Sequence, residues 1–384
     1  MISALNWRFW IFVLLFGGSF SLFAQTGLTP TNQPIISVDK ILPPLEPLPD
    51  LEQSVGVTNF SFIVYGDTRG RRDGKEVQYE HSMVLDAMLS TIKKQKKTDQ
   101  PVRFVLQSGD AVVDGRDARQ WNKSFVSLIN RVTQDGGLPY FLAPGNHDLT
   151  AAQTLYATGR VDGLINYLQA VKDLIPPDGS ANRLSGYPCY SFGYGNCFVV
   201  ALDSNIAGDP EQLKWATQQF EGLDRNRFKL VFAFFHHSPF SSGSHGGATV
   251  EIPTAEMRKK YMPLFRKYRV RALFAGHEHL FEHWVERYAN PPGITNRMDI
   301  IVTGGGGAPL MGYKGEPDLA PYIKTNATEH VSVEHIVKPG PKPGDNPYHF
   351  VLVKVRGEEL RTEVVAVDWG SDFKPYHSNG LDLK

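Results

Sequence analysis

The chain of 384 residues carries only two cysteines. One possible pair cannot form a disulfide framework, and a cysteine-rich zinc site is excluded as well. Charge of either sign is lacking in excess: 40 Lys+Arg stand against 40 Asp+Glu. A balanced chain does not hold nucleic acid by bulk positive charge, although a local basic site remains compatible with it. Past residue 24 there is no apolar run long enough to span a bilayer. What is present is ordinary for a globular protein, with 41% hydrophobic and 21% charged residues. The length allows two or three domains, or one large one. The 12 histidines are more informative, because several fall in short clusters.

Residues 1–24 hold a single charge, Arg8, followed by an apolar run from Phe9 to Phe16 and then small and apolar residues up to Ala24. This pattern is a secretory signal peptide with a cut after Ala24. An uncleaved anchor is the alternative, but Gly17, Gly18 and Ser19 interrupt a run already short for a span. The expected product is an exported protein, periplasmic or extracellular, of net charge −1. That compartment permits a disulfide between Cys189 and Cys197. The two flank a hairpin whose turn is expected at Tyr194-Gly195. Phe192 then faces Cys197 and Cys189 points to the opposite face, so only a bulge would allow the bridge.

Residues 25–58 hold six of the 26 prolines and read as a tether or an extended strap. One catalytic domain is expected over 59–384. Short apolar runs recur there, each ending in polar, chemically capable residues. Phe60 to Tyr65 meets Gly-Asp-Thr-Arg, Val102 to Gln107 meets Ser-Gly-Asp, and Tyr140 to Ala143 meets Pro-Gly-Asn-His-Asp. Leu230 to Phe235 meets His-His-Ser-Pro, and Val270 to Ala275 meets Gly-His-Glu-His. Such runs are buried strands. Between them, Trp121, Phe125, Leu128, Ile129 and Val132 recur at helical spacing, as do Val84, Leu85, Met88, Leu89 and Ile92. A further strand is expected at 299–302, a Pro/Gly-rich insertion up to about Pro347, and a final strand pair near 349–355 and 360–368. The alternation predicts an α/β layered protein with its site at the carboxyl ends of the strands. Oxygen and imidazole donors gathered at one sheet edge suit first-row metals.

The ordered set Asp67-Thr-Arg69, Gly109-Asp110, Gly145-Asn146-His147-Asp148, His236 and Gly276-His277-Glu278-His279 resembles the calcineurin-like metallophosphoesterases. The resemblance implies a four-layer αββα sandwich of two mixed β-sheets flanked by helices. It implies two divalent or trivalent metal ions (Mn, Fe or Zn). Asp110 would bridge them, Asp67 and His279 would complete the first site, and Asn146, His236 and His277 the second. It further implies phosphate-ester hydrolysis by a metal-activated water. His147 would stand beside the metals as a charge stabiliser or proton donor, with Asp148 holding its tautomer. The substrate implied is a small phosphorylated molecule. A phosphomonoester is favoured over a phosphodiester, while residues 150–186 and 312–347 leave the pocket open. A non-catalytic binding protein on the same scaffold is the rival of another class.

Arg69 stands where the family often has a ligating His, and a guanidinium cannot ligate. The first site is therefore expected to be weaker, with His81 either a substitute ligand or a surface helix residue. Arg69 is expected to grip substrate phosphate or to form a structural salt bridge. Val113 replaces the metal-binding Tyr of purple acid phosphatases, so no charge-transfer colour is expected. The segment 236–245 resembles the secreted acid phosphatase branch, which implies His236 as ligand with His237 its neighbour, His237 being the alternative ligand, and His245 either reaching the substrate or leaving group or lying solvated on its Ser/Gly-rich loop. Other signals read as bland. The Gly304 to Gly307 run lacks a P-loop lysine and reads as a turn packed near the metal site. His279 and His283 are spaced i, i+4 without the rest of a zincin motif. Asn326-Ala-Thr is a glycosylation acceptor only in a glycosylating host, and lysines 93, 94, 96 and 97 form a solvated helix end.

Overall fold

The computed structural model describes residues 36–149, 159–247, 250–367 and 381–382. The signal-peptide expectation lies outside these residues. The strands, in chain order, are β1 (Asn59–Tyr65), β2 (Val102–Gln107), β3 (Tyr140–Leu142), β4 (Tyr190–Tyr194), β5 (Cys197–Ala201), β6 (Leu230–His237) and β7 (Ala272–Gly276). They continue with β8 (Phe281–Ala289), β9 (Thr295–Thr303), β10 (Ser332–Val337), β11 (Tyr348–Arg356), β12 (Glu359–Val367) and β13 (Leu381–Asp382). Six of them form one sheet in the order β13-β12-β11-β1-β2-β3, and seven form a second in the order β10-β8-β9-β7-β6-β5-β4. Both sheets are mixed. β1, β2 and β3 run parallel, as do β5, β6, β7 and β9, while the flanking strands pair antiparallel.

Alternation along each strand sorts the two faces. Phe62 of β1 stacks on Phe104 of β2 at 4.9 Å and meets Phe232 and Phe274 of the other sheet at 5.5 and 5.8 Å. These rings fill the layer between the sheets. Tyr65 points the other way and meets Tyr140 and His81. Outside the first sheet lie the helix Tyr79–Gln95 and a continuous helical stretch over 118–135 with two wide π turns. Outside the second lie the helix Pro210–Glu221 and the stretch over 252–267, whose Phe265 stacks on Phe235 of β6. The result is the four-layer sandwich.

Residues 36–50 run extended along the surface of the first layer. Val38 and Ile41 are buried. The N–H groups of Ile41, Leu45 and Glu46 donate to the carbonyls of Ala170, Thr133 and Gly137 at 2.9, 3.1 and 2.7 Å. The segment gains order from these partners, since prolines forbid a ladder of its own.

The hairpin turns one residue later than expected. Tyr194 pairs with Cys197 and Phe192 with Val199. Gly195 takes φ 58°, and a side chain there would start 2.2 Å from the Val57 carbonyl oxygen. The strap that precedes β1 therefore sets the turn. Both cysteines are unbridged and buried on opposite faces, Cys197 between the sheets and Cys189 beneath the outer helices. The region read as an insertion carries structure of its own, with β10 completing the second sheet edge beside β8. Among the described residues no helix is long and apolar enough to cross a membrane.

Candidate metal centre

Asp67, Asp110, Asn146, His236 and His277 each sit at or just past the carboxyl end of a strand, β1, β2, β3, β6 and β7 respectively. Three of them hold left-handed backbone: Asp67 at φ 59°, Asp110 at 57° and His277 at 72°. Such strain in non-glycine residues marks functional positions. Gly145 explains itself by proximity, because a side chain there would start 2.2 Å from Asp110 Oδ1. The glycine run 304–307 packs as expected, with Gly306 N–H on the Gly66 carbonyl and Ala308 N–H on the Asp67 carbonyl, both 2.8 Å.

The donors of the second position converge. His236 Nδ1 lies 2.9 Å from the Ser108 carbonyl. A carbonyl only accepts, so Nδ1 carries the hydrogen and Nε2 presents its lone pair. That Nε2 lies 3.0 Å from Asn146 Oδ1, 3.1 Å from His277 Nδ1 and 3.3 Å from Asp110 Oδ1. Glu251 Oε2 accepts from His277 Nε2 at 3.0 Å, which turns the His277 Nδ1 lone pair into the same space. Burial holds the His236 ring below its usual pKa and so neutral. Four electron-rich atoms thus face one another without a proton between them, which suits a cation of the N/O-preferring first-row kind. The residues fit a metal here.

The first position differs. Arg69 Nε donates to Asp110 Oδ2 at 3.1 Å, and Arg69 Nη2 lies 3.4 Å from His279 Nε2. His279 Nδ1 donates to the Pro309 carbonyl at 2.7 Å, which aims its Nε2 inward as a ligand would be aimed. The Asp67 carboxylate accepts the His277 backbone N–H at 3.1 and 3.0 Å and lies 3.5 Å from His279 Nε2. The guanidinium therefore stands among the three expected first-site ligands. Burial alone would raise the Asp110 pKa, but His236, His147, Arg69 and His277 outweigh it and hold the carboxyl well below its usual range.

Asp148 requires a correction. It does not hold the tautomer of His147. Its two oxygens accept four backbone N–H groups, from Asp110 (2.9 Å), Ala111 (2.8 Å), Val112 (3.3 Å) and Gly145 (2.8 Å). It staples the loop after β2 to the loop after β3. The ring of His147 is oriented by the Val113 carbonyl, 2.8 Å from Nδ1, while its backbone N–H donates to Asp110 Oδ1 at 3.0 Å. His81 is neither a substitute ligand nor a surface residue. It is buried, with Nε2 3.1 Å from the Tyr65 hydroxyl and its ring stacked on Phe125. His237 is held by Ser204 Oγ, 2.8 Å from its Nδ1, and lies against His277 at 4.4 Å between centroids. Its donor atom lies within 4.8 Å of those of His236 and His277, so it borders the second position.

His245 reaches the centre's edge, 4.3 Å from His277 between ring centroids, with Nδ1 2.6 Å from Glu251 Oε1. That hydrogen bond raises its pKa. Sequence reasoning missed Glu251, which holds both His245 and His277. No local motif marks it, since its partners lie 6 and 26 residues away. It also missed Glu278, whose carboxylate accepts the N–H groups of Ser244 and His245 at 3.0 and 2.5 Å and fixes that loop. Asp73 is a third omission. Its oxygens accept the N–H groups of Gly70 (2.9 Å) and Val113 (3.2 Å), tying the Arg69 loop to the loop that orients His147.

The model for the calcineurin-like phosphoesterase family matches residues 60–281. Probable purple acid phosphatase 20 of Arabidopsis thaliana is 27% identical over 153 residues, which covers 39% of this chain and 33% of that protein. Probable inactive purple acid phosphatase 24 of the same plant is 23% identical over 298 residues, 71% of this chain and 46% of that protein. The chain thus spans a third to a half of the length of these curated relatives. A purple acid phosphatase from yellow lupin (Lupinus luteus) seeds shares the fold at TM-score 0.59 and 18% identity, covering 81% of this chain and 52% of that one. GAP50 of Plasmodium, an anchor in the inner membrane complex, shares it at TM-score 0.50 and 13% identity, over 82% and 86%.

Proposed function

The chain belongs to the calcineurin-like phosphoesterase family, and on that premise we propose that it is an exported metal-dependent hydrolase of small phosphate esters, preferring monoesters. The observation that carries this reading is the second position, where Asp110, Asn146, His236 and His277 face one another with no donor hydrogen between them. A metal ion there supplies a Lewis acid and acidifies water.

The chain's own groups support the rest. Arg69 keeps a permanent positive charge beside Asp110, with its side chain 18% exposed at the centre's mouth. His147 is half-buried, and its Nδ1 hydrogen is committed to the Val113 carbonyl. Nε2 is thereby the atom that exchanges a proton with a leaving oxygen. The hydrogen bond to Glu251 raises the His245 pKa and so favours its cationic form on the other side. Arg71 and Arg72 line a groove of about 350 Å³ that begins at Gly70. A terminal phosphate carries more charge than a diester, and this set of cations favours it.

A binding protein on this scaffold is the second reading, favoured by the Arg69 guanidinium among the first-site ligands. One relative is named inactive and GAP50 is an anchor, so the scaffold lends itself to both. A screen of the metal-loaded chain against p-nitrophenyl phosphate and bis(p-nitrophenyl) phosphate decides between them. Hydrolysis of the monoester, lost in Asn146→Ala, is expected. Activity unchanged by that substitution would sink the metal-centre reading, and no turnover with Mn, Fe or Zn would favour the binding protein. Sequencing the mature N-terminus tests export, with Gln25 expected first.

A further inference from the structure

We propose that the Arg69 guanidinium takes the place of the first metal ion, so that this chain binds one metal ion where the family pattern implies two. The inference rests on the metal-centre reading above and deepens it. At the first position donor hydrogens already stand among the inward lone pairs. Arg69 Nε serves Asp110 Oδ2 at 3.1 Å, Nη2 approaches His279 Nε2 at 3.4 Å, and the His277 backbone N–H serves both oxygens of Asp67. At the second position the Asn146, His236 and His277 lone pairs face one another without a donor, and the one N–H nearby is the His147 backbone on Asp110 Oδ1. A buried lone pair without a donor or a cation is costly, so only the second position requires an ion.

The guanidinium is fixed in place. The Arg69 backbone N–H donates to the Asp110 carbonyl at 3.1 Å, and its own carbonyl accepts from Gln78 Nε2 at 3.3 Å. A guanidinium has five N–H donors and no acceptor, so the head offers no ligand to a cation. Nor is a replacement ligand at hand. Val113 offers only backbone, which is already used by Asp73 and His147. His81 is committed to Tyr65. Among the described residues the triads whose donor atoms lie within 4.8 Å of one another are His236-His237-His277, His245-Glu251-His277 and Asp67-Asp110-His236. None combines Asp67 and Asp110 with His279. A fixed unit charge thus neutralises the carboxylate pair in part, and the site keeps a planar donor fork facing any anion drawn to the second position.

The test is metal counting on the full mature chain. The protein is stripped with a chelator, loaded with Mn²⁺, desalted, and examined by elemental analysis and electron paramagnetic resonance. One Mn per chain with an isolated six-line spectrum is expected. Arg69→His restores an imidazole donor and is expected to bind two, with an exchange-coupled spectrum, while Arg69→Lys stays at one. Two ions in the unaltered chain would overturn the inference and leave the phosphoesterase reading standing. A single ion in Arg69→His would overturn the claim that the guanidinium is what excludes the first metal. No ion in any variant would overturn the metal-centre reading and this inference with it.

Discussion

The two halves of the centre share Asp110 yet reach neutrality by different means. In the half bounded by Asn146, His236 and His277, lone pairs face lone pairs, and each ring is turned inward by the hydrogen bond it donates behind it, to the Ser108 carbonyl or the Glu251 carboxylate. In the half bounded by Asp67 and His279, the ring is turned inward in the same way by Pro309, but an arginine has moved into the space. The scaffold for two ligand sets is retained, and on the proposed reading one side chain in the loop after β1, Arg69, decides whether the set of Asp67 and His279 can hold an ion.

The largest break in the comparison is expected from Asn146→Ala, which removes an oxygen donor from the half of Asn146, His236 and His277 alone. Metal affinity should fall by about 100-fold or more, read by titration calorimetry, while Arg69 and His279 keep their contact. Next is Asp148→Asn, which strikes both halves together. An amide would turn hydrogens toward the Asp110 and Gly145 N–H groups that Oδ2 now accepts. Stability should drop by about 3 kcal/mol in urea unfolding, and the loop carrying Asp110 should lose its order. Glu251→Gln is milder and again one-sided. It weakens the tautomer control of His277, so metal affinity should fall about tenfold with Tm little changed.

His81→Leu should leave metal binding untouched and sharpen the distinction between site and core histidines. Burial lowers the His81 pKa from 6.5 to about 3. Between those values the unfolded chain binds a proton that the folded chain refuses. Stability is fully present above pH 6.5 and is lost as pH falls toward 3. The leucine removes this term, so the loss of stability on going from pH 7 to pH 4 should shrink by on the order of 2 kcal/mol. An unchanged acid limb in thermal unfolding would show that His81 does not contribute to it.

Much of this was legible in the chain. The runs at Phe60 to Tyr65 and Leu230 to Phe235 are strands because residues buried on both faces read as continuous apolar stretches. The motif residues fall at their ends because loops there are free to carry polar groups. The hairpin register was misread because the Gly195 turn is set by contact with Val57, a residue more than a hundred positions away. Asp148 was given the wrong partner for a similar reason. Adjacent residues in Gly-Asn-His-Asp suggest a local pair, yet the carboxylate points to backbone 36 to 38 residues earlier. Glu251 sits in no motif and gained its role only when folding brought it beneath two histidines.

The sequence by itself determined the strand order of chemistry, the two-sheet class and the family, since these rest on local periodicity and on residue types at fixed short spacings. It also flagged Arg69 as a departure. Only the tertiary structure decided what that departure does, because the answer lies in a contact between residues 210 positions apart. The direction of a side chain's head depends on which partners surround it after the chain has closed. No spacing along the chain encodes that.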